Sequence, residues 1–180
     1  MKEKTLQEHV VFDGRLIRVH VDEVVLENGV PAQREIVDHP GGVSVAVLTD
    51  KNELLFVRQF RCPYKEELLE LPAGKLERGE DPFEAVRREQ LEETGTTGKN
   101  YVSLGNVYPT PGYCGEIIRL WACRVDQDTG ELSLDPDEFL HNLRIPLEEA
   151  VEMVLSNQIP DSKTQIGILK TAKLVEKGLL

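Results

Sequence analysis

The chain has 180 residues, 40% of them hydrophobic, and a formal net charge of −11. That length suits one domain or one domain with a small accessory lobe, and the apolar share is enough for a sizeable core. The negative balance and a pI near 4.9 argue against a nucleic-acid partner, which needs clustered Lys and Arg to release counterions. The start MKEKTLQEHV has no apolar signal region and no apolar run is long enough to span a bilayer, so a soluble, cytoplasmic protein without membrane partners is expected. Cys62, Cys114 and Cys123 are odd in number and lack zinc-ligand spacing. They read as buried or idle thiols of a reducing compartment.

In chain order, residues 1–39 read as short strands, Leu16 to Val21, Val24 to Leu26 and Arg34 to Val37, set apart by the turn signals Asp13-Gly14 and Asn28-Gly29. A lobe of this size does not bury a core alone, so it is expected to pack on the main domain or on another subunit. HPGG, His39 to Gly42, marks the boundary to a main domain over residues 40–180. VSVAVL (Val43 to Leu48) and ELLFVRQF (Glu53 to Phe60) are strands around the turn Asp50-Lys51-Asn52, and ELLELPAG (Glu67 to Gly74) is a short strand running into Pro72 and Gly74. A helix starts at Pro82, with Asp81 as N-cap and Glu84 placed to close a capping box. YVSLGNVY and EIIRLWACRV are further strands flanking the turn Pro109 to Gly112. A strand Asn142 to Ile145, a helix Pro146 to about Leu155 and a last helix from about Ser162 to Val175 complete the chain. Strands throughout with helices in the middle and at the end suggest an α/β fold, an α/β/α sandwich with a small antiparallel β lobe in front.

The helix that starts at Pro82 carries the chemistry. Glu89, Glu92 and Glu93 stand three and four residues apart, which puts three carboxylates on one face within about a turn. At about 5–6 Å and an effective dielectric of about 20, each like-charged pair costs on the order of 3 kcal/mol. A divalent cation reverses that sign. The bland alternative is a solvated Glu-rich face, but the apolar complement is thin, only Phe83, Val86 and Leu91 with Ala85 to the side, so the helix is poorly built as a core cover. With the glycine loop before it, the segment makes an all-oxygen site suited to magnesium or manganese.

Arg58 and Arg61 in VRQFRCP close the preceding strand. They are either surface arginines on an edge strand or, beside a Glu cluster in an acidic protein, pyrophosphate clamps whose guanidinium forks match phosphate oxygens. Pro and Gly fix YPTPGYCGE, Tyr108 to Glu116, as a rigid loop in which Glu116 can accept hydrogen bonds from sugar hydroxyls. Trp121 fits a buried strand, with an adenine-stacking platform as the alternative. His9, His20, His39 and His141 form no spaced cluster, and no nucleophile elbow or Walker loop is present.

From Gly74 to Gly95 the chain reads GKLERGEDPFEAVRREQLEETG, with Gly74, Glu80, Arg88, Glu89, Glu92, Glu93 and Gly95 at fixed offsets. This segment resembles the Nudix box. Two aliphatic slots of that pattern instead hold Gln90 and Thr96. The proline-glycine loop and REIVDHPGG, Arg34 to Gly42, resemble the ADP-ribose pyrophosphatase branch of the Nudix family, and the likeness runs from about Arg15 to the final helix.

The resemblance implies a Nudix-type α/β/α sandwich with a mixed sheet, and magnesium-dependent hydrolysis of ADP-ribose to AMP and ribose 5-phosphate by a homodimer. It implies metal ligation by Glu89, Glu93, the Ala73 carbonyl and Glu92, with Arg88 and Glu80 supporting the carboxylates. It implies substrate held by Arg58, Arg61, Glu116 and Arg34 of a neighbouring subunit, and water activated by a loop carboxylate, Glu138 or Asp137, with Asp135 left open. A GDP-sugar or another nucleoside diphosphate sugar is the alternative substrate, and a non-catalytic nucleotide sensor the alternative class.

Overall fold

The computed structural model describes residues 2–134 and 139–180. Asp135, Asp137 and Glu138, the candidates for water activation, therefore lie outside the described residues. The chain forms two compact units, one running up to Gly41 and including Tyr108–Ile117, the other made of Gly42–Val107 and Ile118–Leu180.

The first unit holds an antiparallel sheet of β1 (Lys4–Asp13), β2 (Arg18–Val25) and β3 (Pro31–Asp38) with β2 in the centre. Gly29, at φ +81°, closes the β2–β3 turn, a left-handed conformation that glycine adopts without strain. β2 is one continuous strand, where the sequence suggested two. Its apparent break at Asp22 is bridged because Asp22 is buried against His20, whose Nδ1 lies 2.7 Å from the carboxylate. β1, a strand that its sequence did not announce, is exposed along its whole length, so it lacks the buried alternation by which strands are read. The proline-glycine loop joins this unit by main-chain bonds. Val37 N–H donates to the Tyr113 carbonyl at 2.8 Å and Gly115 N–H to the Val37 carbonyl at 2.9 Å.

The second unit is built on a mixed sheet in the order β10 (Leu140–Pro146), β5 (Glu53–Arg61), β4 (Gly42–Leu48), β9 (Ile118–Asp128) and β8 (Thr96–Val107). β6 (Glu66–Glu70) pairs with β5, and β7 (Ala73–Lys75) with β4. Only β4 and β9 run parallel among the described pairs. Alternation along β4 separates two cores. Val43, Val45 and Val47 meet Ala85 and Val86 of α1 (Pro82–Thr94) on one face. Ala46 and Leu48, with Leu54 and Phe56, meet Ala150 and Val154 of α2 (Leu147–Leu155) and Ile168 of α3 (Ser162–Glu176) on the other. Helices on both faces of a mixed sheet make the α/β/α sandwich. Among the described residues no helix is long and apolar enough to cross a membrane.

Candidate active site

The start and end of α1 follow from its sequence. Asp81 accepts the N–H groups of Phe83 and Glu84 at 2.9 and 3.3 Å, Pro82 opens the first turn, and Gly95 ends the helix at φ +66°. Glu84 does not close the capping box on Asp81 but turns to Arg87, 3.3 Å away. The inner face is completed by Gln90 and Thr94, both buried, while Phe83 and Leu91 are 38% and 42% exposed. The two residues that depart from the Nudix pattern meet each other there. Gln90 Nε2 donates to Thr96 Oγ1 at 3.1 Å, Gln90 Oε1 accepts the Tyr101 hydroxyl at 2.7 Å, and the Thr94 and Thr96 hydroxyls lie 2.7 Å apart. A polar pair replaces an apolar one with its hydrogen bonds made, which removes the cost of burying it.

Glu89 and Glu93, in the row of Ala85, are buried, and Glu92 is partly so. The mutual repulsion expected of them is answered within the chain. Arg88 donates to Glu89 and Glu92, at 2.9 Å each, and through Nε and Nη2 to Glu80 at 2.9 and 3.1 Å. Hydrogen bonding to Glu80, reinforced by Glu89 and Glu92, holds the Arg88 guanidinium protonated far beyond its ordinary value, and the same contact with Arg88 lowers the Glu80 carboxyl. Glu80 also accepts the Glu77 N–H at 3.0 Å, which ties the glycine loop to the helix. Glu93 is anchored from below, its carboxylate accepting the Ala73 N–H at 2.8 Å.

Gly74 is where a side chain cannot stand. A Cβ there would lie 1.9 Å from Glu89 Cδ, so only glycine lets the Glu89 carboxylate close over β7. Three carboxylates share the Arg88 guanidinium and Glu93 lies beside them on the same helix, and this all-oxygen donor set fits a hard divalent cation.

Arg58 and Arg61 part company. On β5 they are three residues apart and so face opposite sides of the sheet. Arg58 is exposed opposite Leu69. Arg61 grips Glu70 through Nε and Nη2 at 2.6 and 2.7 Å. That bond raises the Arg61 pKa, with Asp161 and Glu93 adding to it, so Arg61 lies on the side of the carboxylate cluster. Glu70, absent from the sequence reading, is buried at the end of β6 and also takes the Lys163 ammonium. Its only signal in the sequence was a Glu at the end of an apolar run.

Arg34 and Glu116 belong to the other unit. Arg34 is paired with Glu3 at 2.5 and 2.9 Å. Glu116 lies 3.6 Å from His39 Nδ1, which accepts the Gly41 N–H and so has no proton to give it. In the same unit Glu8, His20 and Asp22 gather within ligand distance of one another. Arg18 already binds Glu8 and Asp38, and the Asp22 hydrogen bond raises the His20 pKa. This group is a charge-paired histidine. Trp121 packs with the α1-side core and Phe83, ring centres 6.4 Å apart. Cys123 is buried and its thiol is pushed up to about 12 by desolvation, so it is inert.

Residues 38–165 match the model of the NUDIX domain. The chain belongs to the Nudix family. Ahead of the Nudix match, residues 3–37 match the nucleoside diphosphate sugar hydrolase N-terminal domain. An ADP-ribose pyrophosphatase of Bacillus subtilis (strain 168) is 38% identical over 169 residues, which cover 93% of this chain and 91% of that protein. A methanol dehydrogenase activator of Bacillus methanolicus is 39% identical over 168 residues, with the same coverage, 93% and 91%. A GDP-mannose pyrophosphatase of Yersinia enterocolitica is 32% identical over 170 residues, 88% of this chain and 86% of the relative. The crystal structure of an ADP compounds hydrolase superposes with a TM-score of 0.85 over 100% of this chain and 98% of that one, at 20% identity, and supports the Nudix fold.

Proposed function

We propose that this Nudix protein is a divalent-metal-dependent pyrophosphatase that hydrolyses ADP-ribose to AMP and ribose 5-phosphate in the cytoplasm. The observation that carries the reading is the carboxylate face of α1, closed over Gly74 and oriented by Arg88. ADP-ribose is favoured over other nucleoside diphosphate sugars by the Bacillus subtilis relative, and a GDP-sugar is the second reading because of the Yersinia relative.

In this reading Glu89, Glu92, Glu93 and the Ala73 carbonyl hold magnesium or manganese. The chemistry supplied by the bound ion is neutralisation of the non-bridging pyrophosphate oxygens. Arg88 fixes the carboxylates from behind, with Glu80 as its brace. Arg61 binds the pyrophosphate by the guanidinium edge that Glu70 leaves open, while Arg58, on the other side of β5, is not given this role. Glu138, or Asp137 or Asp135 beside it, takes the proton of the water that attacks phosphorus as the bridging P–O bond breaks.

A second copy of the chain covers the N-terminal sheet in this reading. Edge strand β1 exposes Leu6, Val10, Val11 and Phe12, an apolar edge that a monomer would leave open. Arg34 reaches the neighbouring site only after letting go of Glu3, and Glu116 receives the terminal ribose. The test is a panel of ADP-ribose, GDP-mannose and other nucleoside diphosphate sugars with magnesium, products identified by mass. ADP-ribose is expected to give the highest kcat/KM with AMP as product. A GDP-sugar preferred tenfold would move the substrate, and no turnover of any sugar nucleotide would leave a sensor.

A further inference from the structure

The geometry points to Glu70 and Lys163 as positioning residues of the pyrophosphate site, which clamp the Arg61 guanidinium so that one edge of it stays open to substrate. The inference rests on the substrate-binding role proposed above for Arg61. A guanidinium has five N–H groups. Glu70 takes Nε and one from Nη2, which leaves the Nη1/Nη2 edge, the second of its two forks, free for a phosphate oxygen pair. The exposures agree, since the Glu70 side chain is 1% exposed and that of Arg61 39%. One end of the pair is sealed and the other is open.

Glu70 is itself held. Lys163, on the first turn of α3, bonds the Glu70 carboxylate and also Asp161 at 2.9 Å. Asp161 caps α3 by accepting the Thr164 N–H at 3.0 Å. Two carboxylates thus balance two cations, the condition under which a buried ionic group is not left uncompensated. Burial alone would raise the Glu70 carboxyl, but the Arg61 bonds and the Lys163 charge reverse this and keep it ionised below its ordinary value.

The main chain beside Glu70 is pinned to the same helix. Leu71 N–H donates to Thr164 Oγ1 at 2.9 Å, and Gly167 makes room for Leu71, whose Cδ1 lies 2.4 Å from where a Cβ would stand. Two residues on, Ala73 N–H reaches Glu93. The first turns of α3 therefore set the place of both Arg61 and the Ala73–Gly74 edge of the site. Without the clamp, Arg61 would have to be ordered by each substrate it binds, a cost that falls on binding rather than on the chemical step.

The test uses Lys163→Met and Glu70→Gln in the full-length protein, with Lys163→Arg as the conservative variant. In Glu70→Gln an amide N–H replaces one of the two acceptors, so the two-bond grip on Arg61 is lost. For both Lys163→Met and Glu70→Gln, KM for ADP-ribose is expected to rise about five- to tenfold with kcat within about twofold. Lys163→Arg should restore most of the loss, and neither change should raise KM further in an Arg61→Ala background. The Arg61 Nε–H resonance should be slow to exchange in the wild type and fast in Glu70→Gln, a readout independent of activity. Wild-type KM in both variants would overturn the inference, as would an unchanged KM increment without Arg61. If Arg61→Ala alone binds normally, the substrate-binding role falls first and the clamp with it. If Arg61→Ala weakens binding and Lys163→Met does not, only the clamp is lost.

Discussion

Two ionic clusters stand in the second unit, one on α1 and one between β5, β6 and the start of α3, and they are built on opposite principles. Around Glu70 two carboxylates and two cations balance, and Glu70 and Lys163 are buried. Around Arg88 one guanidinium is shared by three carboxylates, Glu80, Glu89 and Glu92, with Glu93 beside them on a backbone N–H. A balanced cluster is fixed in the folded protein. An unbalanced one has charge to spend on a cation that arrives later.

Breaking each cluster should therefore injure a different property. The largest effect is expected from Glu93→Gln, which keeps shape and removes a charged oxygen; kcat at saturating magnesium should fall by about a thousandfold or more. Near-normal turnover would remove Glu93 from the metal set. In the balanced cluster Glu70→Gln should cost stability, about 3 kcal/mol, at the low end for a broken buried pair because water reaches Arg61 on one side. Urea melts measure it, and wild-type stability would mean that the pair is not coupled to folding.

The same carboxylate sets a pH dependence. Glu70 is held below its ordinary value near 4.5, so the folded state binds its proton less readily than the unfolded chain. The stabilisation is fully present above about pH 4.5 and is lost as pH falls through the lower folded value. Glu70→Gln should flatten the stability profile in that acid range, and a profile equal to wild type there would contradict the assignment.

Gly74→Ala sharpens the contrast, because the atoms nearest the new methyl are the flexible end of Glu89. The fold should tolerate it, while displacing the carboxylate should cut kcat about a hundredfold. A smaller effect is expected inside α1. Gln90→Leu and Thr96→Val should each destabilise by about 1–3 kcal/mol, through partners left buried and unbonded, and the double variant should lose clearly less than their sum. Additive losses would mean that the two polar residues are independent.

The sequence made the unbalanced cluster easy to read and hid the balanced one. Glu89, Glu92 and Glu93 share one helix, so spacing alone brings them together, and the Asp81 cap and Gly95 stop fix that helix. Glu70 and Lys163 meet only through the tertiary fold, across 93 residues, a distance over which no periodicity carries. Gln90 and Thr96 looked like departures from a pattern because their hydrogen bond crosses from the helix to the next strand. β1 was unreadable for another reason, since none of its ten residues is buried. Arg34 and Glu116 were placed by resemblance, and the fold puts both in the N-terminal unit.

Manganese binding, followed by the electron paramagnetic resonance of the free ion in substrate-free protein, tests the contrast most directly. Wild type should bind manganese. Glu89→Gln should lose affinity at least about tenfold, because a charged oxygen has left the unbalanced cluster, and Glu70→Gln should bind as wild type does. Equal affinity in wild type and Glu89→Gln, or loss of binding in Glu70→Gln, would contradict the account.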